Sequence, residues 1–199
     1  MLVIVAGLAA FAQTPKEVLE KTEAAMAPYE NEGTYMIVDV KLPILGTMST
    51  KTWMLGDKVK MEAEMMGVTI ITWSDGVSDW TYDTKNNKVE ITKAKEDSGS
   101  DGDLSLVGDV LNGYDISFAK ETDTAWTIRC KKSRNNPDKD APKNVDIVVA
   151  KADYRLVSLS AKASGVSISM HDIRFGGVTE KQVTFNAADY PGVTIDDQR

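Results

Sequence analysis

Hydrophobic and polar residues alternate with two different periods along this chain, and the change from one to the other divides it into elements. After Thr14-Pro15-Lys16-Glu17, a cap residue followed by proline and then acid, the apolar positions Val18, Leu19, Thr22, Ala25 and Met26 recur at helical spacing up to Pro28. This predicts one amphipathic helix. From Gly33 the period becomes two. It is plainest where Val59, Met61, Ala63 and Met65 alternate with Lys58, Lys60, Glu62 and Glu64, the pattern of a strand with one wet face and one apolar face.

Turn cues then follow at short intervals: Leu42-Pro43, Leu55-Gly56-Asp57, Met66-Gly67, Ser74-Asp75-Gly76 and Asn86-Asn87. The runs between them are rich in β-branched and aromatic residues, which predicts an antiparallel meander. Trp80 and Tyr82 stand two apart, as do Val89 and Ile91 beyond Lys85-Asn86-Asn87-Lys88, so these two runs read as a β-hairpin. The stretch from Glu96 to Asp103, EDSGSDGD, reads as a surface loop. After it Leu104, Val107, Val110 and Leu111 fall at helical spacing, and Asn112-Gly113 would stop that second helix. Further strands are expected near Ile116 to Lys120, Ala125 to Lys132, Asn144 to Ala150, Leu156 to Ala161 and Val166 to Arg174, with a last one around Gln182 to Phe185. The segment SRNNPDKDAPKN between two of them reads as an exposed loop.

The first run, MLVIVAGLAAFAQ, reads as an export signal with cleavage after Ala12, although it lacks a positively charged start. It is too short to span a bilayer, which takes about 20 apolar residues, so no stable membrane insertion is expected. Residues 1–12 are therefore set apart as signal and 13–199 as one domain, a soluble exported protein. The net charge of −7 argues against nucleic acid or an anionic membrane surface as the main partner. With a single cysteine, Cys130, the fold has no internal disulfide and relies on packing.

The inventory of reactive groups is thin. His171 is the only histidine, and within SISMHDIRF it reads as a half-exposed strand residue without metal or triad motif. Cys130 sits between Arg129 and Lys131, a basic setting, yet it alternates with Trp126 and Ile128 and reads as buried. The acidic loop fails as a calcium site, because Gly99 and Gly108 occupy ligand positions. No phosphate loop, dinucleotide fingerprint, nucleophile elbow or zinc pattern occurs, so neither an enzyme nor a bound cofactor is expected.

Methionine is concentrated at Met48, Met54, Met61, Met65 and Met66, and such soft side chains suit either core packing or a surface that accepts variable apolar ligands. The succession of helix, "WMLGDKVKMEAEMMGVTIITWSDGVSDWTYDTKNNKVEI" meander, middle helix and terminal "DIRFGGVTEKQVTFNAADYPGVTIDD" resembles the LolA family of periplasmic outer-membrane lipoprotein carriers. Ser74-Asp75-Gly76 followed by Trp80-Thr81-Tyr82-Asp83 and Val89 carries most of it, and Phe185 with Pro191-Gly192-Val193 is a weaker echo.

The resemblance implies a mainly β fold with some α: an unclosed, strongly curved antiparallel half-barrel covered on its concave side by helices. It implies a periplasmic carrier that shields lipoprotein acyl chains, or other lipid, between an inner-membrane lipoprotein-releasing transporter and an outer-membrane acceptor. Candidate cavity residues are Trp53, Val59, Met61, Met65, Ile70, Trp80, Tyr82 and Trp126, with Leu104, Val107 and Leu111 from a lid helix. The family's lid is held by an arginine on an early strand. This chain has none before Arg129, and Lys51, Lys58 or Lys60 would replace it only in part, since lysine lacks the rigid guanidinium fork. Two alternatives stand beside the carrier: an interaction domain of the same fold with a filled core, and a general binder of small apolar ligands. Which strand face is concave stays open, because a sheet covered by helices carries apolar residues on both sides.

Overall fold

The computed structural model of the chain describes residues 13–44, 46–65, 67–94, 113–136, 138–139, 141–163 and 165–199. The expected signal, the acidic loop and the helix bearing Leu104, Val107 and Leu111 lie outside them.

Helix α1, Pro15–Met26, begins where its cap dictates. The Glu17 N–H donates to Thr14 Oγ1 at 3.2 Å and the Thr14 N–H donates to the Glu17 carboxylate at 2.7 Å, a reciprocal capping box behind a proline at the first helical position. One stripe, Val18, Leu19, Thr22 and Met26, is buried. A single further turn, α2 (Tyr29–Glu32), ends at Gly33. There φ is +82°, and a side chain would collide with Val178 and with the Met54 carbonyl, so only glycine fits.

The twelve strands among the described residues belong to one sheet. In chain order they are β1 (Thr34–Leu42), β2 (Gly46–Leu55), β3 (Lys58–Met65), β4 (Val68–Ser74), β5 (Ser78–Asp83), β6 (Lys88–Lys93), β7 (Tyr114–Glu121), β8 (Ala125–Lys132), β9 (Asn144–Ala150), β10 (Leu156–Ala163), β11 (Val166–Phe175) and β12 (Thr194–Asp197). Their spatial order is β12-β6-β5-β4-β3-β2-β1-β11-β10-β9-β8-β7. The first half of the chain thus meanders outward from β1 as one wing, and the second half folds back toward it as the other. The two wings meet along the antiparallel β1–β11 seam. The sheet does not close, and its edges are β7 and β12.

Two apolar clusters lie on opposite faces. On the first face, Val18, Leu19 and Met26 of α1 pack on Ile128, Cys130, Val145, Ile147, Val149, Leu156 and Leu159, filling the β8–β10 wing. On the second face, the segment after β11 returns over the first wing. Val183 is buried, Phe185 and Tyr190 lie 5.4 and 5.7 Å from the ring of buried Trp73, and Phe185 stacks on Trp80 at 6.3 Å.

The carboxyl end departs from its sequence pattern. The strand expected around Gln182 to Phe185 begins instead as a helical turn, α3 (Glu180–Val183), because Gln182 Oε1 accepts from the Thr179 N–H at 2.8 Å and from its hydroxyl at 2.9 Å. The final strand is β12, which runs parallel to β6.

Candidate functional site

The register shows how far the first face extends. Ile128 pairs with Ile147, Ile147 with Leu159, Leu159 with Met170, Met170 with Val38, Val38 with Thr50, Thr50 with Ala63 and Ala63 with Ile70. Directly paired residues share a face, so the surface beneath α1 continues across the seam into the first wing. There it carries Met36, Val38 and Val40 from β1, Met48 and Met54 from β2, Val59 and Met61 from β3, and Val68 and Ile70 from β4. Thr34, Thr50, Thr52, Thr72 and Ser74 supply its polar atoms, and no charged residue of β1–β4 falls on it. Charge returns only at β5 and β6, with Asp79, Asp83, Lys88 and Glu90.

The two halves of this face differ in burial. Under α1, Ile128, Ile147 and Val149 are fully buried. In the first wing Met36 and Thr52 are buried, most of the rest is half-buried, and Met61 is 40% exposed. At the seam Ile168 is 37% exposed.

The residues singled out from the sequence fall in three places. Val59, Met61 and Ile70 lie on this half-buried stretch, and Met65 closes β3 in register with Val68. Trp126 shares the face but belongs to the filled wing, where Tyr154 stacks on it at 5.7 Å. Trp53, Trp80 and Tyr82 are on the opposite face, under the returning carboxyl segment, so the eight do not line one cavity. Tyr82 packs on Tyr190 at 4.9 Å, and Trp80 on Phe185. Met36, Val38, Val40, Met48, Met54 and Val68 belong to the site and were absent from the candidates. The alternation in Met36-Ile37-Val38-Asp39-Val40 was the signal for the three on β1, and the concentration of methionine noted above for Met48 and Met54.

Across the opposite face runs one row of cations and rings: Arg174, Tyr35, Trp53, Lys60, Trp73 and Trp80, each paired with the next. Lys60 Nζ lies 5.0 Å from the Trp53 ring and 5.6 Å from that of Trp73, and it bonds Glu62 at 2.6 Å. Lys58 is bound by Glu180 at 2.7 Å. Lys51, Lys58 and Lys60 therefore all face away from the α1 side.

His171 is also on the opposite face. Its Nε2 is 3.1 Å from Asp39 and its Nδ1 3.4 Å from Asp172, and the bond to Asp39 raises its pKa above the ordinary value. Burial pushes the Cys130 thiol up to about 12, which makes it inert as a nucleophile. No group of three metal-ligating side chains is found among the described residues, and no helix among them is long and apolar enough to cross a membrane.

No protein-family model and no curated relative matches the sequence. Solved structures do match the fold. The lipoprotein LppX of Mycobacterium tuberculosis superposes with a TM-score of 0.59 at 14% identity, over 85% of this chain and 97% of that one. LprF of Mycobacterium bovis gives 0.55 at 10% identity, over 87% and 99%. The fold is LolA-like. A LolA superfamily protein of Nitrosomonas europaea also aligns over 87% of this chain and 99% of its own, at 11% identity and a TM-score of 0.35. The likeness rests on the first two, and the chain shares with them an unclosed, curved half-barrel, with few helices among its described residues.

Proposed function

We propose that this LolA-like protein is an exported, periplasmic carrier that holds the acyl chains of a lipoprotein or other lipid against the first-wing half of the α1 face, and that it is not an enzyme. The observation that carries this reading is the uncharged, half-buried surface of Met48, Met54, Met61, Val38, Val40, Val59, Val68 and Ile70, continuous with a packed core. Each buried methylene is worth about 0.8 kcal/mol, so a long acyl chain does not cross water unprotected. A face built of flexible methionine and β-branched side chains accepts such chains without a shape-specific pocket. By resemblance, loading would come from an inner-membrane transporter and delivery would go to an outer-membrane acceptor.

The test is binding of a fluorescent fatty acid, with native mass spectrometry of protein recovered from the periplasm. Added lipid mass and saturable binding are expected. Met61→Glu should weaken uptake at least tenfold, whereas Trp53→Gln, on the other face, should leave it unchanged. Protein without lipid mass that also ignores the fatty acid would instead mark an interaction domain with a filled core.

A further inference from the structure

On the face away from α1, a cleft of about 350 Å³ opens between β2, β11 and the turn that follows β11. Tyr35 and Trp53, whose rings are tilted together at 5.2 Å, Lys51, Arg174, Gln182 and the Gly176–Val178 backbone line it. Its charge balance is one-sided. Most acids nearby are already engaged: Glu62, the register partner of Lys51, by Lys60 at 2.6 Å, Glu180 by Lys58 at 2.7 Å and Asp39 by His171 at 3.1 Å, while Glu64, two positions along β3 from Glu62, makes no ion pair with a described residue. Glu32 approaches from behind Gly176, its carboxylate 3.5 Å from where a Cβ there would sit. Arg174 lies over the Tyr35 ring at 5.2 Å, and neither it nor Lys51 makes an ion pair or side-chain hydrogen bond with any described residue. The capping box adds a third donor. It uses Gln182 Oε1 twice, which leaves Nε2, the donor end, without an acceptor among the described residues.

We propose that this cleft is a binding site for the phosphate group of a small phosphoester, with Arg174 and Lys51 as its cationic contacts and Gln182 Nε2 as a neutral one. A guanidinium fork, an ammonium and an amide offer about four N–H donors, which would take up every acceptor site of a carboxylate, whereas the three terminal oxygens of a phosphoester accept them from three directions with sites left for water. The volume sits at the lower end of small-molecule sites, enough for a phosphate with a glycerol-sized substituent. Its position separates it from the acyl surface. The cleft lies on the opposite face from the proposed acyl surface on the first wing. The phosphate comes either from a free phosphoester or from a headgroup displayed on a bilayer.

Calorimetric titration of the full-length protein with glycerol 3-phosphate, together with flotation on phosphatidylglycerol and phosphatidylcholine vesicles, tests the assignment. Saturable binding is expected in at least one arm. Arg174→Gln and Lys51→Gln should each weaken it about tenfold, the loss of roughly one charge-assisted hydrogen bond. Arg129→Gln, which removes a cation bonded to Asp146 in the other wing, should leave it unchanged. Binding of the soluble ester alone assigns the source to a free metabolite. Flotation on phosphatidylglycerol that is lost in Arg174→Gln assigns it to a headgroup. Absence of both, or equal binding by wild type and by the exposed-site variant Lys51→Gln, overturns the proposal. Fatty-acid uptake measured on the same samples is independent of this cleft, so either reading can fail without the other.

Discussion

At the scale of single residues, the side chains whose environment depends on their own strand are the ones the sequence made legible. Cys130 is buried as its alternation with Trp126 and Ile128 required, because burial follows from strand parity alone. His171 could be placed on a strand but not paired. Its partner Asp39 is 132 positions away and meets it only because β1 and β11 form the seam. That pair gives a pH dependence with two limbs. Since Asp39 raises the His171 pKa, the contribution is fully present below the ordinary histidine value of 6.5 and fades as pH rises through the elevated one. Asp39 is itself held low, first by a bond from Ser49 and then by His171, so the link is also lost in acid as pH falls through that lowered value. We expect the stability advantage of wild type over Asp39→Asn to shrink between pH 6.5 and the raised pKa. Proton NMR titration of the His171 ring should show its pKa dropping in the variant, and an unchanged value would dismiss the pairing. Trp73 permits a second expectation. It is 3% exposed, wedged between Phe185 and Tyr190, and Trp73→Ala should cost about 3–5 kcal/mol in denaturant unfolding. A cost below about 1 kcal/mol would mean that the returning segment does not anchor on this ring.

Among the elements, the hairpins and α1 followed from local chemistry and the carboxyl end did not. Each meander strand carries its own period and its own turn, so β3, β5 and β6 stand where alternation put them. The segment Gln182 to Phe185 has strand-like composition, yet Thr179 and Gln182 satisfy one another's orphan groups and a helical turn wins. What fixes β12 is likewise remote: it adds to β6 with Thr194 in register with Lys88, 106 positions earlier, where the Thr194 N–H donates to the Asn87 carbonyl at 3.0 Å and Lys88 bonds Asp196 at 2.7 Å. Its four residues cover an edge of β6 that would otherwise present unpaired backbone groups to other chains. Deleting residues 194–199 should therefore cause self-association that light scattering detects, while far-ultraviolet circular dichroism keeps its β signature. A truncated chain that stays monomeric would show that β6 is protected by other means.

The molecule as a whole is two wings on one sheet, joined at β1 and β11, with α1 filling one wing and the carboxyl segment filling the back of the other. A meander was visible in the sequence, but the seam was not, because the pairing of the two ends of the chain leaves no local pattern. For the same reason Trp53, Trp80 and Tyr82 could be read as lining a trough: aromatic content marks burial, not the face on which burial occurs. The two proposed binding surfaces divide along the same plane. If acyl chains lie on the methionine-rich half of the α1 face, affinity must come from apolar area and so must grow with chain length until the surface is covered. At about 0.8 kcal/mol per methylene, two more carbons strengthen binding by up to roughly fifteenfold. A smaller step is expected on a surface whose side chains are already half-buried. We therefore expect Kd, measured by displacement of a fluorescent fatty acid, to fall steadily from C10 to C16 in wild type. Met61→Glu should flatten that slope by placing a charge in the middle of an otherwise uncharged face, since burying it beneath an acyl chain carries a heavy desolvation cost. Trp80→Ala should lower stability and leave the slope intact, because its ring packs on Phe185 behind the sheet. A slope near zero in wild type, or one that responds to Trp80 and not to Met61, would place any lipid on the other face and overturn the assignment of sides.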